Sequence, residues 1–156
     1  MHARLIAVGD RQPPWVDQAF DDYAQRLPRA WQFRLVTHAT AQRGKARAPQ
    51  RAIEAEGQRI LGEVRPGELV VILDERGNEW SSEQLSRRLS AWLSDGRDIC
   101  FVIGGPDGLS DDCRNRADLQ WSLSRLTLPH GLARILFVEQ LYRASSMLEG
   151  HPYHRA

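Results

Sequence analysis

Residues 69–74 read LVVILD, and this stretch decides the fold class because five of its six residues are apolar. A continuous apolar run of this length is typical of a β-strand that is buried on both faces of a sheet. A second run of the same kind, DICFVIGG at residues 98–105, follows a segment with helical periodicity. Strands buried on both faces belong to parallel sheets covered by helices, so the two runs predict an α/β fold.

Strand and helix patterns alternate along all 156 residues. Strands are predicted at 4–8, 31–37, 69–74, 98–105 and 119–124. Helices are predicted at 13–27, 49–64, 81–96 and 130–150, with a short extra helix capped by Ser110. The third of these opens with a capping box formed by Ser81 and Gln84. Because no repeat or linker interrupts the pattern, we predict one domain over residues 1–156, with a mostly parallel sheet flanked by helices.

The apolar face of the first helix can also be read from the sequence. Its spacing predicts one apolar face, formed by Trp15, Ala19, Phe20, Tyr23 and Leu27.

Composition and charge exclude several classes of protein. The net charge of +1 argues against a general polyanion binder, although residues 43–59 carry five cations. The apolar N-terminal run is too short for a signal peptide, and no stretch approaches the eighteen apolar residues of a membrane span. We therefore expect a cytoplasmic protein with no membrane contact and with reduced thiols at Cys100 and Cys113. Neither cysteine has metal-ligand spacing, so no metal site is expected.

Three predicted strand ends are candidates for ligand binding, because ligands of parallel sheets bind beyond the carboxyl ends of strands. These are LDERG at 73–77, IGGPDGLS at 103–110 and SLSRLTLPHG at 122–131. Gly104 and Gly105 could let a ligand approach the backbone, and residues 124–129 offer an apolar wall with free backbone groups. An adenosine-like ligand fits this pattern, although a tight turn and a plain connector explain the same residues. Neither a dinucleotide fingerprint nor a P-loop is present.

The C-terminal segment combines an apolar helix with a polar tail. Helix 130–150 is apolar over more than one face, which favours self-association. Glu139 and Arg143 are four residues apart and can form an ion pair, either structural or functional. The ending HPYHRA supplies a titratable base, a stacking ring and a phosphate-binding guanidinium, so a single-stranded RNA contact is plausible. A metal site with only two histidines and a functionless frayed tail are the alternatives.

Taken together, these motifs resemble one family along nearly the whole chain. They are AVGD at 7–10, RGK at 43–45, LDERG, DGRDICFVIGGPDGLS at 95–110, WSLSRLTLPHGLARILFVEQLYRASSM at 121–147 and HPYHR at 151–155. The sequence resembles the RlmH-type, or YbeA-like, ribosomal RNA methyltransferases of the SPOUT class. The resemblance implies a C-terminal trefoil knot, a homodimer with the knot helices at its interface, and methyl transfer from S-adenosylmethionine. The implied acceptor is N3 of a pseudouridine in large-subunit (23S) rRNA of the assembled ribosome.

The resemblance also implies roles for individual residues. The cofactor-binding residues would be Leu73, Gly104, Gly105, Ser124, Arg125, Leu126, Thr127, Leu128 and Pro129. The catalytic residues would be His154, Arg143, Glu139 and Tyr153, with His154 as the base or as a residue that positions it. Substrate would be bound by His130, Arg134 and Arg155. Asn78 departs from the family, which often carries lysine there. Two rival hypotheses are a ribosome-assembly factor without catalysis and a SPOUT-like enzyme acting on tRNA.

Overall fold

The computed structural model describes residues 1–42 and 49–155, so the predicted basic loop at 43–48, with its RGK motif, lies outside the described residues. Ten helices and strands, together with short 3-10 turns at Arg29–Trp31 and Pro152–Arg155, make up this part of the chain. In chain order they are β1 (Ala3–Val8), α1 (Pro14–Ala24), β2 (Arg34–His38), α2 (Gln50–Glu63), β3 (Leu69–Glu79), α3 (Ser82–Asp95), β4 (Ile99–Ile103), α4 (Asp111–Arg116), β5 (Leu119–Ser122) and α5 (His130–Leu148).

The sheet has five strands in the order β2-β1-β4-β3-β5, and every neighbouring pair is parallel. This confirms the predicted α/β class. Alternate side chains of the central strands enter two separate cores. Leu5 and Phe101 join a cluster with the apolar residues of α1, α3 and α5, whereas Ile6 and Val102 join a cluster with residues of α2 and α4. The sheet is therefore covered on both faces, as the apolar runs predict.

Local signals in the sequence set the helix boundaries. Ser81 accepts a hydrogen bond from the Gln84 backbone N–H, and the Gln84 side chain accepts one from the Ser81 N–H, so the capping box is confirmed. Ser110 caps α4 in the same way, by accepting from the Cys113 N–H. Pro14 opens α1, where its missing N–H costs nothing. These elements therefore begin where the sequence predicts.

The predicted apolar face of α1 is wrong at one position. Trp15 is 55% exposed, and Val16 is buried in its place. Val16 and Phe20 are four residues apart and lie on the stripe that faces the core, whereas Trp15 is rotated by about 100° from Val16. Trp15 therefore faces outward at the start of α1.

Four strand boundaries also differ from the prediction by two residues or more, and one of them is the end of β4, at Ile103 instead of residue 105. The strand predicted at 31–37 begins only at Arg34, because Gln32 adopts a left-handed conformation with φ of 46°. β5 ends at Ser122, two residues early, because the Ser122 hydroxyl donates to the Ser124 carbonyl and the chain turns. β3 does not end at Asp74: its pairing with β5 shifts register between Leu73 and Asn78 and continues to Glu79.

Two expectations about the whole chain stay predictions, namely the trefoil knot and the single domain of residues 1–156. Within the described ranges, no helix has both the length and the apolarity that crossing a bilayer requires. The same ranges contain no group of three side chains suited to hold a metal ion. Cys100 and Cys113 are both buried and form no disulfide.

The register shift of β3 predicts a strong effect of substitution at Gly77. A Cβ atom at this position would lie 2.7 Å from the Gln120 carbonyl carbon and the Trp121 nitrogen, and neither backbone atom can move aside easily. We expect Gly77→Ala to lower the free energy of unfolding by about 1–3 kcal/mol. The measurement is urea denaturation.

Gly62→Ala is the matched control, because Gly62 lies in α2 with no atom within 4 Å of an added Cβ. It should raise the free energy of unfolding by about 0.5–1 kcal/mol, since alanine favours the helix. Equal stability of the two variants would contradict this account of the strand.

Candidate functional site

A cavity of about 350 Å³ opens at the carboxyl ends of β3, β4 and β5. We call it the first cavity. Leu73 and Ile103, which make the last pair between β3 and β4, both line it. Seven of the predicted cofactor residues line it, namely Leu73, Gly104, Gly105, Ser124, Leu126, Thr127 and Leu128. The predicted strand ends therefore meet in one place.

Two predicted cofactor residues do not line this cavity. Arg125 is directed outward, with a side chain 91% exposed, and its Nε lies 3.2 Å from Glu79. Pro129 is the N-cap of α5 and lines a different cavity. Asn78, the departure from the family pattern, is exposed and also lies outside the first cavity.

The glycines of the 104–108 turn are required by packing within the protein. A Cβ at Gly104 would lie 2.8 Å from the Leu109 side chain, and one at Gly105 would lie 2.5 Å from Glu56 Oε1. Glu56 is only 2% exposed, and its other oxygen accepts a hydrogen bond from the Ala41 N–H. Gly108 has φ of 92° and donates its N–H to the Gly105 carbonyl, which closes the turn. The tight-turn interpretation thus accounts for these residues.

The wall at residues 122–128 is held by short-range hydrogen bonds. Ser124 Oγ accepts from the Leu126 N–H at 2.9 Å, which fixes the bend after β5. Leu126 is 74% exposed, so an apolar surface stands at the edge of the cavity. Apolar side chains beside backbone groups form the kind of wall that an adenine ring binds. The side chains of this cavity fit an adenosine-containing cofactor on these grounds.

The first cavity also contains an ion pair that the sequence did not suggest. Arg114 Nε donates to Asp74 Oδ2 at 2.7 Å, and the Asp74 side chain is only 6% exposed. Burial raises the pKa of Asp74, but hydrogen bonds from the Arg76 backbone and from Arg114 outweigh burial and hold it below its usual value. Asp74 is therefore ionised at neutral pH. The available signal was an acidic residue at the end of a buried strand.

A second cavity, of about 630 Å³, lies beside the first. Its lining includes Val8 at the end of β1, residues 9–12 after that strand, and Thr40 after β2. His130 and Leu128 line both cavities, so they form part of the wall between them. Burial and the charge of Arg134 lower the pKa of His130, although backbone groups of Gly104 and Gly105 act in the opposite direction. His130 is consequently neutral at pH 7.

Arg134 lies one helical turn after His130 and is almost completely buried, with 2% of its surface exposed. Its Nη2 donates to the Gly9 carbonyl, and its Nε has no hydrogen-bond partner among the described residues. Burial lowers the pKa of its guanidinium. Gly9 lines the second cavity, so Arg134 holds part of the backbone that forms that cavity.

Three of the predicted catalytic residues, Glu139, Arg143 and Tyr153, form a separate cluster, which we call the tail cluster. Glu139 Oε1 accepts from Tyr153 at 3.1 Å and from Arg143 Nε at 3.0 Å. The Arg143 guanidinium lies over the Tyr153 ring at 5.0 Å, and the Tyr142 ring centroid is 4.7 Å from that of Tyr153. Burial, together with hydrogen bonds to Tyr23 and Glu139, raises the pKa of Tyr153. The tail is thus attached to the protein rather than frayed.

The last two predicted tail residues differ in exposure. His154 is half-buried, and its buried Nδ1 has no hydrogen-bond partner within the described part of the chain. Arg155 is exposed and available to solvent. The roles predicted for both residues stay predictions.

The first cavity and the tail cluster lie far apart within one chain. His130 is at the start of α5, and Arg143 comes thirteen residues later. At 1.5 Å per residue, about 20 Å of helix separates them. The structure therefore brings the predicted residues together in two groups, at opposite ends of α5.

Comparison with known proteins identifies relatives over the whole chain. Residues 1–154 match the family model described as "Predicted SPOUT methyltransferase". Proteins named "Ribosomal RNA large subunit methyltransferase H" match from end to end: the Nitrosococcus oceani protein is 49% identical over 100% of this chain and 99% of its own length. The Alkalilimnicola ehrlichii protein is 51% identical over 100% of both chains.

A solved structure supports the fold alone. A "probable methylase family protein" from Haemophilus influenzae superposes with a TM-score of 0.57 at 12% sequence identity. The match covers 97% of this chain and 69% of that one.

The lowered pKa of His130 predicts a pH effect on stability. The unfolded chain, with an ordinary histidine pKa of about 6.5, binds the proton more readily than the folded chain does. Stability should therefore fall as the pH drops through 6.5 toward the folded-state pKa, and His130→Gln should remove this component. NMR titration of the His130 ring measures its pKa in the folded protein. A midpoint at or above about 6.5 would contradict the lowered pKa.

Proposed function

Because the chain belongs to the SPOUT methyltransferase family, we propose that it methylates large-subunit ribosomal RNA with S-adenosylmethionine as the donor. Full-length relatives at about half identity carry that activity in their names. The observation that carries the proposal is the first cavity, which opens at the strand ends where parallel sheets bind ligands. The finer assignment is N3 of a pseudouridine on the assembled ribosome.

The first cavity holds the cofactor. When bound, S-adenosylmethionine supplies an electrophilic methyl group on a sulfonium. Leu73, Ile103 and Leu128 exclude water from the adenosine, and the backbone at 124–128 offers hydrogen-bonding groups to the adenine edge. Rigid positioning of the two reactants provides much of the rate gain in such transfers, with effective molarities of up to about 10⁵–10⁸ M.

The tail cluster handles the acceptor base. N3 of a neutral pseudouridine carries a proton, so a group must accept it or stabilise the resulting anion. Histidine is the usual proton acceptor near neutral pH. His154, whose Nδ1 has no hydrogen-bond partner among residues 1–42 and 49–155, is the base or the residue that positions it. Arg143 stabilises the anion, while Glu139 holds both Arg143 and Tyr153 in place. Arg155 contacts a phosphate, and His130 lies at the cavity wall.

Arg134 affects substrate binding only indirectly, through the backbone that it holds in place. It is too deeply buried to contact RNA, and it fixes Gly9 at the edge of the second cavity. We assign it to positioning the residues that line this cavity.

The separation of about 20 Å along α5 favours an active site that is completed by a second copy of the chain. In this homodimer the tail of one subunit approaches the first cavity of its partner. The outer side of α5 carries Leu132 and Leu136, 41% and 40% exposed and one turn apart. Trp15 on the adjacent helix α1 is 55% exposed at the same end of α5, since Val16 packs against Gly131. Burial of this apolar surface would stabilise the dimer.

The substrate is a folded ribosomal surface rather than bare RNA. Phosphate contacts supply most of the affinity for free nucleic acid, and a chain with a net charge of +1 can make only a few. Recognition therefore needs the shape of the assembled subunit in addition to charge. An enzyme with this substrate acts in the cytoplasm.

The proposed function is tested with methyl-labelled S-adenosylmethionine. We expect label in large-subunit rRNA from ribosomes of cells that lack the homologous gene, and none in free rRNA or bulk tRNA. Label in tRNA would support the rival SPOUT enzyme instead. Binding of the cofactor without transfer to any substrate would support the assembly factor.

The shared active site predicts complementation between two inactive variants. Deletion of residues 151–156 should abolish methylation, and Thr127→Trp should block the first cavity by filling it with an indole. Mixing equal amounts of the two proteins should restore activity to about a quarter of the wild-type level, because half of the dimers would be mixed and each mixed dimer would hold one intact site of two. The deleted chain alone should still bind cofactor with nearly wild-type affinity.

Two outcomes would contradict the shared site. Full activity of the deleted chain would show that the tail has no catalytic part. Failure of the mixture, with subunit exchange verified by mass spectrometry, would place the tail and the cavity of the working site on the same subunit.

A further inference from the structure

The Asp74–Arg114 pair gives the first cavity a charged side that the methyl-transfer residues do not use. Both residues line the cavity, and their side chains are 6% and 18% exposed. The pair joins two separate elements, since Asp74 follows the last β3–β4 pair and Arg114 belongs to α4. A charge pair this deep in a protein costs desolvation energy, so it calls for an explanation.

The pair retains hydrogen-bonding capacity. Asp74 accepts from the Arg76 N–H on Oδ1 and from Arg114 Nε on Oδ2, which uses two of about four lone-pair sites. Arg114 has five N–H donors, and its hydrogen bonds to Asp74, at 2.7 Å, and to Asp111, at 3.4 Å, use two of them. Asp111 is 89% exposed and competes with water for that contact. Donors and acceptors therefore remain available at the cavity surface.

The charges of the pair match one part of the cofactor. Adenine requires an apolar wall with backbone groups, the ribose is neutral, and the sulfonium accepts no hydrogen bond. Only the amino-acid end carries an ammonium and a carboxylate on one carbon. These two charges are complementary to a carboxylate beside a guanidinium.

We propose that Asp74 and Arg114 bind the amino-acid end of S-adenosylmethionine, with Asp74 accepting from the α-ammonium and Arg114 donating to the α-carboxylate. This inference rests on the proposed function, because it takes the first cavity as the cofactor site. Arg114 becomes a specificity-determining residue, since it distinguishes the cofactor from an analogue without the carboxylate. Gly108 lies beside Arg114, since a Cβ atom added at Gly108 would lie 3.8 Å from Arg114 Nη2.

The test compares S-adenosylmethionine with decarboxylated S-adenosylmethionine, which keeps the adenosine and the sulfonium. Isothermal titration calorimetry on the full chain, without RNA, gives both dissociation constants. The wild-type protein should bind the decarboxylated compound about tenfold or more weakly, as expected for loss of a charged hydrogen bond. In Arg114→Gln this ratio should shrink to about twofold or less.

Two further variants keep the result interpretable. Arg116→Gln is the matched control, because Arg116 lies on the same helix, pairs with Asp118 and is absent from the cavity lining. It should keep the wild-type ratio. Arg114→Lys keeps the positive charge beside Asp74, and we expect it to fold and to give an intermediate ratio.

A ratio in Arg114→Gln equal to that of the wild type, with both compounds bound, would overturn the proposal and leave the pair a purely structural one. Equal binding of the two compounds to the wild-type protein would overturn it too. Absence of cofactor binding to the wild-type protein would overturn the proposed function as well, so the two failures are distinguishable.

Discussion

The burial of β4 on all sides is the constraint on which the rest of the structure depends. This strand hydrogen-bonds to β1 and β3, and its five side chains are buried between the two helical layers. It has no free edge and no free face, so it can contribute to a binding site only where it ends. The 104–108 turn is that end. Both cavities adjoin this turn, so the end of this buried strand is the reference point for the candidate functional region.

The sequence predicts the parts of the structure that obey local rules. The buried runs, the capping box at Ser81 and the convergence of three strand ends each follow from residue pattern alone. Features that depend on distant backbone escaped prediction. The continuation of β3 past Asp74 requires β5 as a partner, and Arg125 turns outward because Ser122 and Ser124 bend the chain. The pairing of Asp74 with Arg114 joins residues forty positions apart, which no periodicity reveals.

Glu139 gives the C-terminal residues a fixed place. A single carboxylate oxygen receives hydrogen bonds from an arginine of the same helix and from a tyrosine fourteen positions later. Aromatic contact between Tyr142 and Tyr153 adds apolar burial to these polar contacts. The order of the tail therefore arises from the side chains of α5, and the same residues that the sequence suggests for chemistry also maintain the local structure. An ion pair of this kind can be structural and functional at once, so the two interpretations of Glu139 and Arg143 do not compete.

Helix α5 links the wall of the first cavity to the tail cluster through nineteen residues without a break. A helix of constant rise keeps both the separation and the rotational phase of its ends. Gain or loss of one residue within it would rotate everything beyond by about 100°, and the tail would then face away from the partner subunit of the proposed dimer. Loops on this scaffold can vary in length at little cost in free energy. Helix α5, in contrast, sets a fixed distance between the residues at its two ends. Natural selection on this protein should therefore act on the number of residues in that helix as strictly as on their identity.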